Sequence, residues 1–257
     1  MRGAGLTGGR WSSREGRCAE SRLAVYAATV LTSLPLFPLN AALVPGLVLP
    51  LHIFEPRYCR LVEELLANPD EAGREFGMVA VRDGHRVETG GISALYDIGT
   101  TAILRESTAY DDGRYDIVTT GHRRFRLDSI ALPPGDPTAS FIEAEVEFLD
   151  EPVGESSPDL VRQVSRLFSQ YRALLGQQMF GENLLTPSAP EDQAALAYVV
   201  TAAMVLPVAE RQVLLGASDS RTRLLEARRL LIRENGLILE LSCLPALDVA
   251  SAGFCPN

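Results

Sequence analysis

The longest apolar segment of the chain runs from Leu23 to Ile53 and contains no formally charged residue. Its length raises the question of a membrane span. The segment contains four prolines, at Pro35, Pro38, Pro45 and Pro50. Each proline removes a backbone donor and breaks a helix, which excludes a continuous lipid-exposed helix. The pattern instead predicts two buried strands, Leu34–Leu39 and Leu47–Phe54, joined by a turn at Pro45-Gly46.

A helix is predicted directly after the second strand. Glu55 suits the N-cap because its negative charge faces the positive end of the helix dipole. Pro56 suits the first helical position because its fixed φ matches a helix and its missing N–H is not needed there. Asn68-Pro69 is expected to end this helix. Its apolar positions recur at helical spacing, at Tyr58, Leu61, Val62 and Leu65.

Alternation of apolar and polar residues predicts five further strands. The sequence Asp111-Asp112-Gly113 is a strong hairpin signal, and Gly121 is expected to interrupt the chain between two strands. The predicted strands are Phe76–Val81, Tyr96–Tyr110, Arg114–Thr120, Arg123–Ile130 and Phe141–Leu149. About seven strands with one inserted helix indicate a mixed β-barrel, whose closure would remove exposed sheet edges.

The hydrophobic period becomes helical after Ser157, which is predicted to cap a helix starting at Pro158. Gln193–Leu206 predicts a second, buried helix, and a short helix is expected from Pro207 to Leu215. A last helix, capped by Ser218 or Asp219, is predicted to run to Asn235, with Gly236 as its terminator. Short connections between these helices predict an antiparallel bundle.

The residues of the first apolar segment also resemble those of a known family. LPLFPL, a Pro-Gly turn and LPLHIFEPRY resemble the opening of the Lon substrate-binding domain, the N-terminal module of Lon-type ATP-dependent proteases. The resemblance extends more loosely from Leu34 to about Ile238. It implies an α+β fold, a PUA-like mixed β-barrel with one inserted helix followed by a C-terminal helical bundle, used to bind protein substrates. It also implies a stand-alone bacterial member that lacks the ATPase and peptidase domains.

Four regions are expected along the chain: a tail at 1–32, the β-barrel at 33–150, the helical bundle at 151–240 and a C-terminal tail at 241–257. The first region is rich in Gly, Ser and Arg up to Arg22. It has two open interpretations, a disordered extension or a signal peptide that includes the apolar run LAVYAATVLTS. The extension is favoured because this run passes into the first strand without a polar break.

The amino-acid composition argues against several classes of function. The net charge of −9 argues against general affinity for nucleic acids or anionic membranes. All 24 basic residues are arginines, so the sequence contains no phosphate-binding lysine, Schiff-base lysine or Ser–Lys dyad. Lon-type proteases need such lysines for ATP and for peptide cleavage, so we expect no enzymatic activity, catalytic residue, cofactor or metal. The four cysteines are scattered, as isolated thiols of a cytoplasmic protein would be.

Two polar clusters have a functional and a structural interpretation. His52 and Glu55 could form an acid–base pair, with Asp116 as a further candidate, in an unrecognised hydrolase. The structural interpretation is preferred: Glu55 caps the helix, Arg57 pairs with a carboxylate, and Phe54 and Tyr58 fill the core. The cationic run at 122–126, HRRFR, could serve an RNA-binding PUA-like protein, but strand alternation favours a solvated strand or a site for acidic groups of a peptide.

The leading hypothesis is a non-catalytic protein-binding module, acting as an adaptor or holdase in protein quality control. The expected partners are unfolded or degron-bearing protein segments, with a Lon-type protease as a further candidate. Binding is expected at a sheet edge or a shallow apolar groove. The candidate peptide-binding residues are Leu49, Leu51, His52, Phe54, Glu55, Tyr58, Thr100, Ala102 and Leu104.

Overall fold

The computed structural model describes residues 30–136, 140–180 and 189–241. The two interpretations of the N-terminal segment concern residues that lie outside the described part of the chain, apart from its last few positions. The same holds for the C-terminal tail expected after residue 241.

Among the described residues, six strands form one mixed sheet in hydrogen-bonded order β2-β5-β4-β3-β1-β6. Strands β1 and β3 are parallel, and the other paired strands are antiparallel. Strand β5 also pairs with β6, so β5, β4, β3, β1 and β6 form a closed series of pairings. The strands are β1 (Leu31–Leu39), β2 (Val48–Ile53), β3 (Glu75–Ala80), β4 (Ile98–Ala109), β5 (Tyr115–Ala131) and β6 (Ile142–Phe148).

The helices fall into two groups. One longer helix and one single-turn helix lie between strands, and four helices follow the sheet in sequence. They are α1 (Pro56–Ala67), α2 (Val87–Gly90), α3 (Pro158–Phe180), α4 (Gln193–Ala203), α5 (Val208–Leu215) and α6 (Ser220–Leu241). Short 3₁₀ turns occur at Glu71–Gly73 and Gly91–Ala94. The expected α+β class, a sheet followed by helices, is therefore observed.

Helix α1 begins and ends as predicted. Pro56 is its first residue, and Asn68 follows its last turn. Its four predicted apolar positions are all buried. Glu55 occupies the N-cap position but makes no capping hydrogen bond with its side chain. Its carboxylate instead accepts a hydrogen bond from Arg57 Nε at 2.7 Å, as predicted for Arg57.

The prediction of seven strands was wrong because β5 continues through Gly121. Gly46 N–H donates to the Gly121 carbonyl at 2.8 Å, and Gly121 N–H donates to the Leu47 carbonyl at 2.9 Å. A Cβ at residue 121 would collide with the Val44 carbonyl oxygen. Glycine is therefore needed here for close approach of two backbones, and it does not end the strand.

The prediction that Gly236 ends the last helix was also wrong. Helix α6 continues to Leu241, and Ile238 is buried in the helical core. No atom lies within 4 Å of a Cβ placed on Gly236. The apolar residues beyond Gly236 keep the chain helical because tertiary packing outweighs the low helix propensity of one glycine.

Three apolar clusters form the core. One lies among α3, α4, α5 and α6. The other two involve the strands, and side-chain alternation divides β3 between them: Phe76 and Met78 belong to the cluster that includes α1, and Val79 belongs to the second. The helical residues therefore have a core separate from those of the sheet.

A buried arginine joins β5 to the helices. Arg124 is 2% exposed, and its Nη1 donates to the carbonyls of Leu215 at 2.6 Å and Ala217 at 2.9 Å, at the end of α5. Its Nε donates to Glu151 Oε1 at 2.6 Å. We name Arg124, Glu151 and these two carbonyls the Arg124 cluster. The interpretation of residues 122–126 as a solvated strand was wrong for Arg124, because sheet–helix packing covers this position.

Helices α4 and α6 extend the Arg124 cluster. Arg223, also buried, donates through Nε to the Leu214 carbonyl at 2.9 Å, and its guanidinium lies 4.2 Å from the centroid of the Tyr198 ring. Tyr198 donates to Glu151 Oε2 at 2.5 Å. One carboxylate thus contacts a strand arginine and a helix tyrosine, which fixes the linker between sheet and helices.

We expect Arg124→Met to lower the free energy of unfolding by about 3 kcal/mol, because two buried carbonyls lose the Arg124 donor and Glu151 loses one of its partners. Urea denaturation followed by circular dichroism measures this. Arg126→Met is the matched control, since the Arg126 side chain is 56% exposed and pairs with Glu147 at the surface. It should cost less than about 1 kcal/mol. Equal losses in the two variants would contradict the role assigned to Arg124.

Gly121→Ala is expected to destabilise the fold by about 1–3 kcal/mol, because the added methyl group displaces the Val44 backbone. Gly236→Ala provides a control with open space around the new methyl group. It should stabilise helix α6 by about 0.5–1 kcal/mol through helix propensity. Thermal unfolding of both variants measures the difference, and a neutral Gly121→Ala would show that the close approach is unimportant.

Candidate protein-binding surface

Strand β2 is the one described strand with a single strand partner, β5. Its Leu49 and Leu51 pack partly against the apolar cluster that includes α1, named here the α1-side core, and Ile53 is buried. The alternate residues Val48 and Pro50 are exposed. Proline is typical of edge strands because it has no N–H to pair. The outer edge of β2 is therefore a place where an extended segment could add to the sheet.

An exposed aromatic cluster, consisting of His52, Phe54 and Tyr110, lies at the end of this edge. The His52 ring centroid is 6.1 Å from that of Phe54 and 6.1 Å from that of Tyr110. Phe54 is 41% exposed and Tyr110 43% exposed. The prediction that Phe54 fills the core was wrong, because Ile53 takes the inward position at the end of β2 and the next side chain points outward.

Asp116 positions two members of the aromatic cluster. It lies opposite His52 in the β2–β5 register, with Oδ1 2.7 Å from His52 Nδ1. The Tyr110 hydroxyl donates to Asp116 Oδ2. The hydrogen bonds from Tyr110 and then His52 lower the pKa of Asp116 below its usual value. An ionised carboxylate has only acceptors, so His52 Nδ1 carries a proton and donates.

The tight turn between β4 and β5 places Arg114 beside the aromatic cluster. Gly113 has φ +83°, the left-handed conformation that the predicted hairpin requires. Arg114 Nε donates to Asp112 at 2.7 Å, and its guanidinium lies 5.8 Å from the Tyr110 ring centroid. Arg114 Nη1 is also 3.4 Å from His52 Nε2. The surface therefore combines aromatic faces with one cation, a composition common in protein interfaces.

This arrangement offers little for catalysis. The Glu55 carboxylate pairs with Arg57 and not with His52. The partner of His52 is Asp116. Burial is the main cause that raises the pKa of the nearby Cys59 thiol, which disfavours a nucleophilic thiolate. Within residues 30–136, 140–180 and 189–241, no group of three or more His, Cys, Asp or Glu residues could hold a metal ion.

The described helices include none with both the length and the apolar character that a membrane span requires.

Comparison with known families decides the classification. The family model of the substrate-binding domain of ATP-dependent protease La (LON) matches residues 33–233. This chain belongs to the Lon substrate-binding domain family. The resemblance inferred from LPLFPL and LPLHIFEPRY is thereby confirmed. The match begins within β1 and ends within α6, so it includes both the sheet and the helices.

Similar full-length proteins are Lon proteases. Lon protease 2 of Syntrophobacter fumaroxidans is 29% identical over 190 residues, covering 72% of this chain and 22% of that protein. Lon protease of Escherichia coli K12 is 26% identical over 194 residues, covering 74% of this chain and 23% of that protein. The chain thus spans about a fifth of the length of these curated relatives, and the matched part contains no peptidase domain.

Two solved structures have a similar fold. The Lon N-terminal domain protein from Xanthomonas campestris superposes with a TM-score of 0.55 at 24% identity, covering 78% of this chain and 98% of that chain. The N-terminal domain of the Mycobacterium avium complex Lon protease gives a TM-score of 0.54 at 21% identity, covering 80% and 98%. Because both identities are below 25%, this likeness shows a similar fold and nothing further.

The predicted peptide-binding residues of this Lon-family domain divide into two groups. Tyr58, Thr100, Ala102 and Leu104 lie in the interior, each at most 4% exposed. Thr100 donates to the Leu43 carbonyl at 2.8 Å, and the other three belong to the α1-side core. These four do not belong to an exposed contact surface, because Tyr58 on α1 and the other three on β4 face into the fold. The exposed His52 and Phe54 and the half-buried Leu49, Leu51 and Glu55 stay predicted contacts.

Sequence reasoning missed Tyr110 and Arg114 as parts of this surface. Both flank the predicted Asp111-Asp112-Gly113 turn, so the hairpin prediction already implied that they lie close to each other. Their proximity to His52 was not readable. It depends on pairing of β2 with β5, whose registered residues His52 and Asp116 are 64 positions apart in the chain.

The lowered pKa of Asp116 predicts a defined pH response. A carboxyl group whose pKa is lower in the folded state adds stability above its ordinary pKa of about 4. That contribution is lost as the pH falls through the folded-state pKa. Tyr110→Phe should raise the pKa of Asp116, since the first of its two hydrogen bonds is lost. NMR titration of the Asp116 carboxyl carbon in the wild type and in Tyr110→Phe measures this change in pKa.

Asp219 is an internal control for that titration. The Thr222 N–H donates to Asp219 at 2.7 Å and lowers its pKa at the start of α6. This group has no contact with Tyr110 among the described interactions, so its pKa should not change in the variant. Equal pKa changes at Asp116 and Asp219, or none at Asp116, would contradict the assigned hydrogen bond.

Proposed function

We propose that this chain is a non-catalytic module that binds exposed apolar or extended segments of other proteins. The observation that supports the proposal is the outer edge of β2, which pairs with no other strand in the described part of the chain and lies beside the exposed aromatic cluster. Membership in the Lon substrate-binding domain family supports a recognition role. The absence of lysine from the sequence supports a role without the ATP-binding and Ser–Lys chemistry of Lon-type proteases.

Strand addition would account for recognition without a deep cavity. A peptide lying along β2 would pair with its outer backbone groups, and its side chains would alternate between the two faces of the sheet. His52 and Phe54 would contact apolar or aromatic side chains at one end of the peptide. Pro50 supplies no N–H, so it limits pairing of this edge with unselected strands.

The affinity of such a site should be modest. An unfolded segment loses conformational freedom when it is ordered against β2, and this entropy cost offsets part of the contact energy. Weak, sequence-tolerant binding suits an adaptor or holdase, which must release its clients. A Lon-type protease is the proposed recipient of those clients, and the cytoplasm is the proposed location.

We further propose that the closed series of strand pairings forms the PUA-like barrel that the family resemblance implies. The pairing of β5 with both β4 and β6 supports this, because it closes the series β5-β4-β3-β1-β6 back onto β5. In such a barrel β2 would remain outside the ring as an added strand. That position would leave its outer edge accessible to a client.

The RNA-binding alternative receives no support. Of the cations in the run at 122–126, Arg124 is buried in the Arg124 cluster. Arg123 pairs with Glu75 at 2.8 Å and lies 3.7 Å from the Phe148 ring centroid. Arg126 pairs with Glu147 at 2.9 Å. The run therefore presents no cluster of available cations for a phosphate backbone.

The proposed site predicts that wild-type protein binds fluorescein-labelled casein, an unfolded protein, in preference to folded green fluorescent protein. Phe54→Ser and Tyr110→Ser should each weaken casein binding about tenfold, because aromatic anchors dominate such interfaces. Fluorescence anisotropy measures the dissociation constants. Ile92→Ser is the matched control, since Ile92 is 42% exposed and distant in sequence from the cluster.

Two outcomes would overturn the proposal. The first is equal binding of casein and the folded protein by the wild type. The second is an effect of Ile92→Ser as large as that of Phe54→Ser. Gel electrophoresis of the same samples adds a further check, because cleavage of casein by the purified chain would contradict a non-catalytic role. Circular dichroism confirms that each variant is folded.

A further inference from the structure

Helix α6 has an exposed apolar stripe on the part of its surface that faces away from the helical core. The α6 stripe consists of Leu225, Ile232 and Leu239, which are 39%, 57% and 58% exposed. The three residues are spaced by seven, so they lie almost above one another along the helix. Four other apolar residues of α6, Leu224, Leu230, Leu231 and Ile238, are at most 2% exposed and belong to the helical core. Leu237 is 41% exposed, but it is five positions from Ile232 and so lies on another side of the helix. The three residues of the α6 stripe therefore lie outside the buried cluster among the helices.

The surroundings of the α6 stripe suit another helix. Val213 of α5 is 58% exposed, and with Leu225 and Arg228 it lines a shallow cavity of about 490 Å³. Gly236 lies between Ile232 and Leu239, and the space around it is open. A glycine at such a position allows a second helix to approach closely. The stripe is therefore flanked by a cavity beside Leu225 and by open space at Gly236.

We propose that the α6 stripe is a contact between two copies of this chain, with the two α6 helices antiparallel about a two-fold axis at Ile232. Antiparallel pairing around Ile232 places Leu225 of each copy opposite the partner's Leu239. It also places Arg228 opposite the partner's Gly236, where the open space can receive a long side chain. A single patch is then complementary to itself, as a two-fold interface requires.

The charges along α6 favour the antiparallel direction. The first half of the helix has an excess of arginine, because Arg221 and Arg228 remain after Arg229 pairs with Glu226. In the second half Arg233 pairs with Glu210 and Glu234, and Glu240 lies near the end. Antiparallel packing brings the arginine-rich half of one copy beside the Glu240 end of the other and opposes the two helix dipoles. Parallel packing would instead place arginine beside arginine. The apolar and charged residues of α6 therefore match those of a second copy of this chain.

The expected dimer is weak. The α6 stripe is about 21 Å long, from fourteen residues at 1.5 Å each. A contact along one helix of this length is at the small end of specific interfaces, so dissociation should be measurable in the micromolar range. The stripe is formed by residues other than those of the β2 surface, so this inference does not depend on the proposed function.

Sedimentation velocity of the full chain over a hundredfold concentration range tests the proposal. We expect the weight-average sedimentation coefficient to rise from the monomer value toward the dimer value as the concentration increases. Ile232→Glu should weaken dimerisation at least tenfold, because it places two carboxylates together at the axis. Val48→Glu on β2 is the control, since Val48 is 57% exposed, and it should leave dimerisation unchanged. A monomer at every concentration, or a dimer that Ile232→Glu does not weaken, would overturn the proposal.

Cysteine cross-linking tests the direction of the helices. The four native cysteines are first replaced by serine. In that background, Ile232→Cys should form a disulfide-linked dimer on mild oxidation, because the two copies of residue 232 meet at the axis. Leu225→Cys alone should cross-link at least tenfold more slowly, because it faces the partner's Leu239. Faster cross-linking at residue 225 than at residue 232 would indicate a different packing and contradict the proposed axis.

Discussion

The structure depends on a buried guanidinium that connects the sheet to the helices. Arg124 donates to Glu151 and to two carbonyls at the end of α5. Burying an arginine is costly unless each donor finds a partner, and here carbonyls provide most of the partners. Because α5 and α6 are anchored at this point, Arg124 determines where the helical part sits relative to β5.

Strand β5 is the central element of the sheet part. It pairs with β2, β4 and β6, and it contributes Asp116 at one end and Arg124 further along. Its length depends on Gly121, which lets the loop before β2 approach the strand closely. One continuous strand thus positions the aromatic cluster at one location and attaches the helices at another. Interruption of β5 would uncouple the candidate surface from the rest of the fold.

The candidate surface consists of exposed aromatic side chains held by hydrogen bonds to one carboxylate. His52 and Asp116 form a pair that would suit proton transfer, but the pair is exposed, and its neighbours are an aromatic hydroxyl and an arginine. The hydrogen bonds from His52 and Tyr110 to Asp116 hold these two side chains in place, with His52 beside Phe54. A polar network can therefore support binding by reducing the freedom of side chains before a partner arrives.

The sequence alone determined the elements that local chemistry specifies. Pro56 and Asn68-Pro69 set the limits of α1, Asp111-Asp112-Gly113 set the hairpin, and Ser157-Pro158 set the start of α3. The family also followed from the sequence, because LPLFPL and LPLHIFEPRY are each an uninterrupted stretch of the chain. These features involve neighbours in the chain, for which residue type and spacing are sufficient information.

Tertiary structure decided the remaining features. Gly121 and Gly236 lie inside a strand and a helix because distant backbone and core residues outweigh local propensity. Arg124 is buried, although its charged neighbours in sequence lie at the surface, because the end of α5 covers it. Phe54 is exposed and Tyr110 joins it only through the pairing of β2 with β5. Each of these outcomes depends on contacts between residues far apart in sequence, and one sequence contains no direct record of which distant groups will meet.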